Sequence, residues 1–244
     1  FNNIKIKNFV LSLTDLNNFH LKKSKFQVKY YYVFHSIIST HRAYYKDSFD
    51  NYDVIFCVGK HHINEIRSRE SKYNLKQKKL IKHGYGKLDF LIEQQNSKEI
   101  LTNRNKQTNL LIAPTWGENS LNEKEIILII NEILKSKLNI KITIRPHTMT
   151  VWNKPNFINN IKNNFKNNIN IIIENDLNLT NSILTSDLMI SDWSGAAIEF
   201  AFLKKKPVIF IETIQKTRNF EWDLLELPTI EKELRKKIGF VLKK

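Results

Sequence analysis

A single cysteine, Cys57, serves all 244 residues. It cannot close an intrachain disulfide, which excludes a disulfide-stapled secreted scaffold and fits a reducing, cytosolic compartment. Long apolar runs are also missing. The longest stretch, around Ile126 to Ile130 within EIILIINEIL, is far short of the roughly 18 residues a membrane-spanning helix needs, and no charged-then-apolar leader opens the chain. The six glycines form no Gly-rich segment, and no repeat or heptad pattern recurs. An aromatic-basic RNP-like strand, zinc-finger spacing and a helix-turn-helix signature are all lacking, so nucleic acid is not an expected partner. Acidic residues are scarce, 24 against 39 Lys plus Arg, for a formal net charge of +15. Such an excess suits a polyanion, an anionic membrane surface or a phosphorylated substrate. An AT-rich coding sequence, visible in the crowding of Lys, Asn and Ile, is a competing source of it.

What is present is a globular composition, 41% hydrophobic, rich enough for one or two cores and too apolar for a disordered tail. Short β-branched and aromatic runs alternate with amphipathic stretches, which predicts an α/β protein with mainly parallel sheets. The first series of strands is NFVLSLT (8–14), VKYYYVF (28–34), DVIFCVG (53–59) and KLIKHGY (79–85), with a helix from His61 to about Tyr73. A helix over GKLDFLIEQQ leads into a polar stretch near 96–108 where the apolar pattern lapses. This predicts a first domain over 1–100 and a second over 101–244. The second series runs NLLIAPT (109–115), KITIRPH (141–147), INIIIEN (169–175), DLMIS (187–191) and PVIFIE (207–212). Helices are expected at 123–136, 156–167, 180–185 and 196–204, a doubly wound half of nucleotide-binding type. A last helix follows Thr229. The start at Phe1 and the abrupt end in KKIGFVLKK lead us to expect a piece of a longer polypeptide, with the first domain truncated.

In such sheets ligands sit beyond the carboxyl ends of the strands, and polar residues collect there: His35, Thr115, Arg145, His147, Ser191 and Asp192. In SDWSGAAIEFAFLKKKPVIF, Ser194, Gly195 and Ala196 open a helix whose N–H groups and positive dipole end suit a phosphate. Glu199 lies one turn in, within reach of sugar hydroxyls. Ser191 or Asp192 serving only as a helix cap is the plainer alternative. In IRPHT, Arg145 offers a bidentate cation to phosphate, and His147 is either a hydrogen-bond donor to a pyrophosphate oxygen, a general acid or an ordinary loop residue. His35 follows a very apolar strand and opens HSIISTHR. The trio His61, His62 and Glu65 has a superficial metal-ligand look, but adjacent histidines point to different helix faces and no third ligand is in view, so no metal site is expected. Trp116 either stacks on a base or packs between domains.

Taken in order, HSIIST, YDVIFCVG, GYGKLDFL, APTWGENS, IRPHT and SDWSGAAIEFAFLKKKPVIF resemble the CDP-glycerol glycerophosphotransferase family of teichoic-acid and related surface-polymer synthesis. The resemblance covers about Val33 to Phe210. It implies a GT-B architecture, two Rossmann-like domains facing a cleft, and no cofactor. By position it implies that His35 deprotonates the acceptor hydroxyl and that His147, with Arg145 beside it, stabilises the donor's phosphates. Ser194, Gly195 and Ala196 would hold the CDP pyrophosphate, with Glu199 at the ribose. The family's HGT, RPHP and SDYSS stand here as HSI, RPHT and SDWSG, which leaves CDP-glycerol, CDP-ribitol or a similar polyol open as donor. The expected reaction is attack by a hydroxyl of a polymer or lipid-linked glycan on the β-phosphorus, with release of CMP. The expected location is the cytoplasm, peripherally on the inner face of the cell membrane. A GT-B glycosyltransferase using a nucleotide sugar, and a non-catalytic polyanion binder, are the competing classes.

Overall fold

Every run read as a strand from its β-branched and aromatic content pairs in parallel with another. The computed structural model describes residues 1–97, 107–174 and 181–243. These fall into two compact units, Phe1–Lys87 with Thr217–Glu233, and Leu88–Lys216 with Leu234–Lys244. This division differs from the expected boundary at 100/101, which lies outside the described residues. The cause is visible in the helix over GKLDFLIEQQ: Leu91 is fully buried in the core of the second unit with Met189, Phe200 and Leu203.

The first unit contains β1 (Asn8–Leu11), β2 (Lys29–Val33), α1 (Thr40–Ala43), β3 (Val54–Cys57), α2 (Lys60–Lys72) and β4 (Lys79–Lys82), and its sheet has the order β1-β2-β3-β4. The period-2 pattern of a strand puts Tyr30, Tyr32 and Phe34 on one side, and all three are buried. Tyr32 meets Phe34, Phe49 and Tyr52 edge to face, with ring centroids 4.8, 5.0 and 5.0 Å apart. Such contacts add to the area term in holding β2 in register.

The second unit is built on α3 (Gly86–Ser97), β5 (Thr108–Ile112), α4 (Glu123–Lys135), β6 (Ile140–Ile144), α5 (Thr148–Asn153), α6 (Asn156–Phe165), β7 (Ile171–Ile173), α7 (Asn181–Thr185), β8 (Leu188–Ser191), α8 (Gly195–Lys204), β9 (Val208–Ile211), α9 (Ile230–Ile238) and β10 (Gly239–Leu242). The chain passes between units three times: in the first turn of α3, between Lys216 and Thr217, and inside α9, whose first four residues belong to the first unit. The sheet order is β10-β9-β8-β5-β6-β7. Winding runs one way from β5 and the other way from β8, the doubly wound order with a topological switch between those two strands. Alternation along β5 explains why both faces are covered. Leu110 and Ile112 cluster with Ile126 and Ile130 of α4, while Leu111 and Ala113 cluster with Ala197 and Phe200 of α8. The start of α4 is fixed by a reciprocal cap: Asn122 accepts from the Glu125 amide at 3.1 Å and Glu125 from the Asn122 amide at 2.9 Å.

The sixth strand, β10, was not expected, because GFVL directly follows a strongly basic helix and reads as a tail. It depends on Gly239, which pairs with Val208; a Cβ there would lie 1.8 Å from the Val208 carbonyl oxygen. Among the described residues no helix is long and apolar enough to cross a membrane.

Candidate active site

A parallel sheet gathers all its carboxyl ends on one edge, and in doubly wound sheets ligands sit beyond that edge at the topological switch, here between β5 and β8. The loop after β8 is tied to the loop after β5 by Asp192. Its carboxylate accepts from the Thr115 amide at 2.7 Å and the Leu121 amide at 3.0 Å. Burial pushes its pKa up, against the pull of these amides and those of Trp193 and Asp192 itself. Ser191 is fully buried and donates its Oγ hydrogen to the Ala113 carbonyl at 2.6 Å. These two residues, expected at the ligand, are braces across the switch.

Ser194 caps α8, its Oγ accepting from the Ala196 amide at 3.3 Å. The positive end of a ten-residue helix therefore lies at the carboxyl edge just after β8, with Gly195 and Ala196 partly exposed there. Glu199 is 2% exposed, against the expectation of a carboxylate offered to a sugar. The turn before α8 is held from elsewhere in the unit. The Trp193 indole N–H donates to the Thr213 carbonyl at 2.8 Å, and the Arg235 guanidinium lies 3.8 Å from the ring centroid. Arg235 also donates to Glu212 at 3.1 Å and the Ile211 carbonyl at 3.2 Å, and burial lowers its pKa.

After β6, Arg145 is engaged rather than standing as an unshared cation. Its Nη1 lies 3.2 Å from Ser182 Oγ and 3.4 Å from Glu174 Oε2, and Ser182 donates to Glu174 at 2.7 Å. His147 caps α5: its Nδ1 accepts from the Met149 amide at 3.1 Å. That fixes the ring nitrogen Nε2 as the donor in the neutral form. The Trp116 ring stands 5.8 Å from the His147 ring, tilted by 31°, and Lys216 Nζ sits 3.1 Å from the Trp116 centroid. Thr115, Trp116, His147 and Lys216 are all half-buried. The second unit thus carries a carboxyl-edge group of one ammonium, one imidazole and one indole beside a helix N-terminus, suited to an anion joined to a planar ring.

Lys216 and Arg235 were missed from sequence. Lys216 carried a usable signal, since it lies just beyond the end of PVIFIE; Arg235, inside a basic helix, had none. Glu174 also follows a strand end and was passed over.

In the first unit His35 is exposed, and its carbonyl accepts from the Tyr85 hydroxyl at 3.0 Å. His61 and His62 turn to the main chain. Their Nε2 atoms donate to the Ile37 and Ile38 carbonyls, both at 2.9 Å.

The family model described as CDP-glycerol:poly(glycerophosphate) glycerophosphotransferase matches residues 24–228. No curated protein matches the chain. Among solved structures, the wall teichoic acid polymerase TagF is similar at 18% identity with a TM-score of 0.53, over 78% of this chain and 51% of that one. A histidine-to-asparagine variant of TagF soaked with CDPG is similar at 17% identity and a TM-score of 0.57, over 95% and 63%. The UDP-GlcNAc 2-epimerase of Methanocaldococcus jannaschii, with UDP-GlcNAc and UDP, is similar at 15% and 0.51, over 88% and 58%. The chain thus spans between half and two thirds of these structures, and identities this low speak for the fold alone. The α/β, GT-B class of two Rossmann-like units agrees with the sequence expectation. With the family motifs falling at the strand ends of two parallel sheets and the family match running over most of its length, the chain belongs to the CDP-glycerol:poly(glycerophosphate) glycerophosphotransferase family.

Proposed function

We propose that the chain moves glycerol phosphate from CDP-glycerol to a hydroxyl on a surface-polymer or lipid-linked acceptor. The observation that carries this reading is the family match over residues 24–228. Its support in the geometry is the carboxyl-edge group at the β5/β8 switch. The second unit takes the donor: His147 through Nε2–H, Lys216 and the α8 N-terminus at Ser194, Gly195 and Ala196 meet the pyrophosphate, and Trp116 offers a ring face. Thr115 lines the same loop. Arg145 acts through Glu174 and Ser182, holding the segment before His147.

His35, beyond β2 in the first unit, accepts the proton of the acceptor hydroxyl. The acceptor oxygen forms a bond to the β-phosphorus and the bridging P–O bond to CMP breaks, the negative charge leaving with CMP. Electrostatic stabilisation of that charge by fixed donors lowers the barrier without reorganisation. The +15 charge supports docking on an anionic membrane surface, where a lipid-linked acceptor resides.

CMP release from CDP-glycerol in the presence of a primed acceptor tests the activity. His35→Ala and His147→Ala should each abolish it; near-normal turnover of His35→Ala removes that residue from the base role. Thermal shifts with CDP-glycerol, CDP-ribitol, CDP, UDP and a UDP-sugar test the donor, and equal shifts for all five would defeat its assignment.

A further inference from the structure

The segment that follows His35 is held at residues 37 to 41 by side chains from distant parts of the first unit. His61 and His62 of α2 donate to the Ile37 and Ile38 carbonyls, both at 2.9 Å. Glu231 accepts from the Ser39 amide at 3.2 Å, and Ser39 Oγ in return accepts from the Ile230 amide at 2.7 Å. This is the reciprocal logic of a capping box, made between residues 192 and 191 apart in the chain. Glu65 Oε2 accepts from both the amide and the hydroxyl of Thr40, each at 2.6 Å. His41 has its Nδ1 3.3 Å from Glu65 Oε1, its Nε2 3.1 Å from the Leu227 carbonyl, and its own carbonyl bonded to Asn219 at 2.8 Å. The His62 ring also packs 3.9 Å from that of Phe34, the residue before His35.

His62, Glu65 and Glu231 are 0%, 2% and 4% exposed. Burying so many ionisable groups is a poor route to stability, because a packed apolar cluster of the same volume does as well or better. What they supply instead is direction: consecutive main-chain groups each have one fixed partner. Precise geometry of that kind is what a reactive side chain on a loop requires.

We propose that His62, Glu65 and Glu231 are positioning residues that fix the 37–41 segment and through it the placement of His35. The proposal rests on the reading of His35 as the acceptor's base. The His61–His62–Glu65 pattern, metal-like in sequence, is a clamp on main-chain carbonyls and amides.

The test uses the full chain and three readouts: CMP release, CDP-glycerol affinity by calorimetry, and amide exchange of residues 37–41. Glu231→Ala and His62→Ala should each lower kcat about tenfold or more and accelerate exchange at 37–41, with CDP-glycerol affinity within about twofold of the parent. Glu231→Gln keeps an amide oxygen for the Ser39 N–H and should stay within about threefold of the parent in kcat. Ser39→Ala, which removes only the Ile230 contact, is a milder variant held to the same outcome should Glu231→Ala fail to fold. Accelerated exchange with turnover within about twofold of the parent overturns the proposal, and so does unchanged exchange. His35→Ala separates the two claims. Turnover retained there defeats the base reading, whereas the positioning claim fails on the Glu231 and His62 variants.

Discussion

Acidification should destabilise the first unit through one buried side chain, His62. Its two ring nitrogens are committed in the neutral form, Nε2–H to the Ile38 carbonyl at 2.9 Å and Nδ1 accepting from the Val58 amide at 3.4 Å. A proton on Nδ1 would face an N–H group. Burial first, and the neighbouring His61 second, push its pKa down from 6.5 to about 4, against the opposing pull of Glu65 and the Ile38 carbonyl. The unfolded chain therefore takes up this proton at higher pH than the folded one. The stability is fully present above about pH 6.5 and is lost as pH falls towards about 4. At roughly 1.4 kcal/mol for each pH unit the whole gap is worth about 3 kcal/mol, of which about 2.5 kcal/mol is gone by about pH 4.5. Other groups titrate nearby. Burial raises Glu65, but the neighbouring His41 and the hydrogen bonds from Thr40 outweigh it and leave the pKa below the usual carboxylate range, whereas burial holds Glu231 above that range. The clean measurement is consequently a difference: urea unfolding of the parent and of His62→Gln at about pH 7.5 and about pH 4.5. The parent should lose about 2.5 kcal/mol more than the variant over that interval. Equal losses in both would refute a buried, neutral His62.

The remaining predictions concern the second unit. Lys216→Ala should weaken CDP-glycerol binding about tenfold by calorimetry, the loss of one charge-assisted contact to phosphate; unchanged affinity would take the Lys216–Trp116 pair out of the donor site. Asp192→Ala strands the buried amides of Thr115 and Leu121, at about 2–4 kcal/mol in urea unfolding, while Asp192→Asn, which keeps one acceptor, should lose less. Gly239→Ala drives a Cβ into the Val208 carbonyl and should cost about 1–3 kcal/mol with faster amide exchange along β10.

Much of this arrangement was legible because strands announce themselves in their side chains. KYYYV and TNLLI show alternation and β-branched or aromatic content on their face, and the rule that ligands gather beyond strand ends then brought out Thr115, His147 and the α8 start. What stayed hidden was every feature made by a main-chain group far away in sequence. Asp192 looks like a ligand carboxylate until the amides of Thr115 and Leu121, 77 and 71 residues earlier, are found on it. His61 and His62 show in sequence only a superficial metal-ligand spacing, and their hydrogen bonds to carbonyls 24 residues away are invisible there. Main-chain N–H and C=O groups leave no trace in residue type, so a polar side chain that serves them cannot be told from one that serves a substrate.

Burial makes that distinction. The two units meet one physical problem, holding an irregular polar loop at the carboxyl edge of a parallel sheet, with the same device: a buried carboxylate accepting main-chain N–H groups. Asp192 does so for Thr115 and Leu121, Glu65 for Thr40 and Glu231 for Ser39. Two oxygens accept from several amides at once, which hydroxyls and carboxamides do less well. Glu65 and Glu231 lie on helices, α2 and α9, and Asp192 directly follows β8. A carboxylate so committed cannot also bind a sugar hydroxyl without releasing the loop it holds. Partly or fully exposed beyond the strand ends are His35 in the first unit and Thr115, Trp116, His147, Gly195, Ala196 and Lys216 in the second. In the second unit the helix N-terminus, the imidazole and the ammonium complement the proposed phosphorylated donor, which brings its own negative charge.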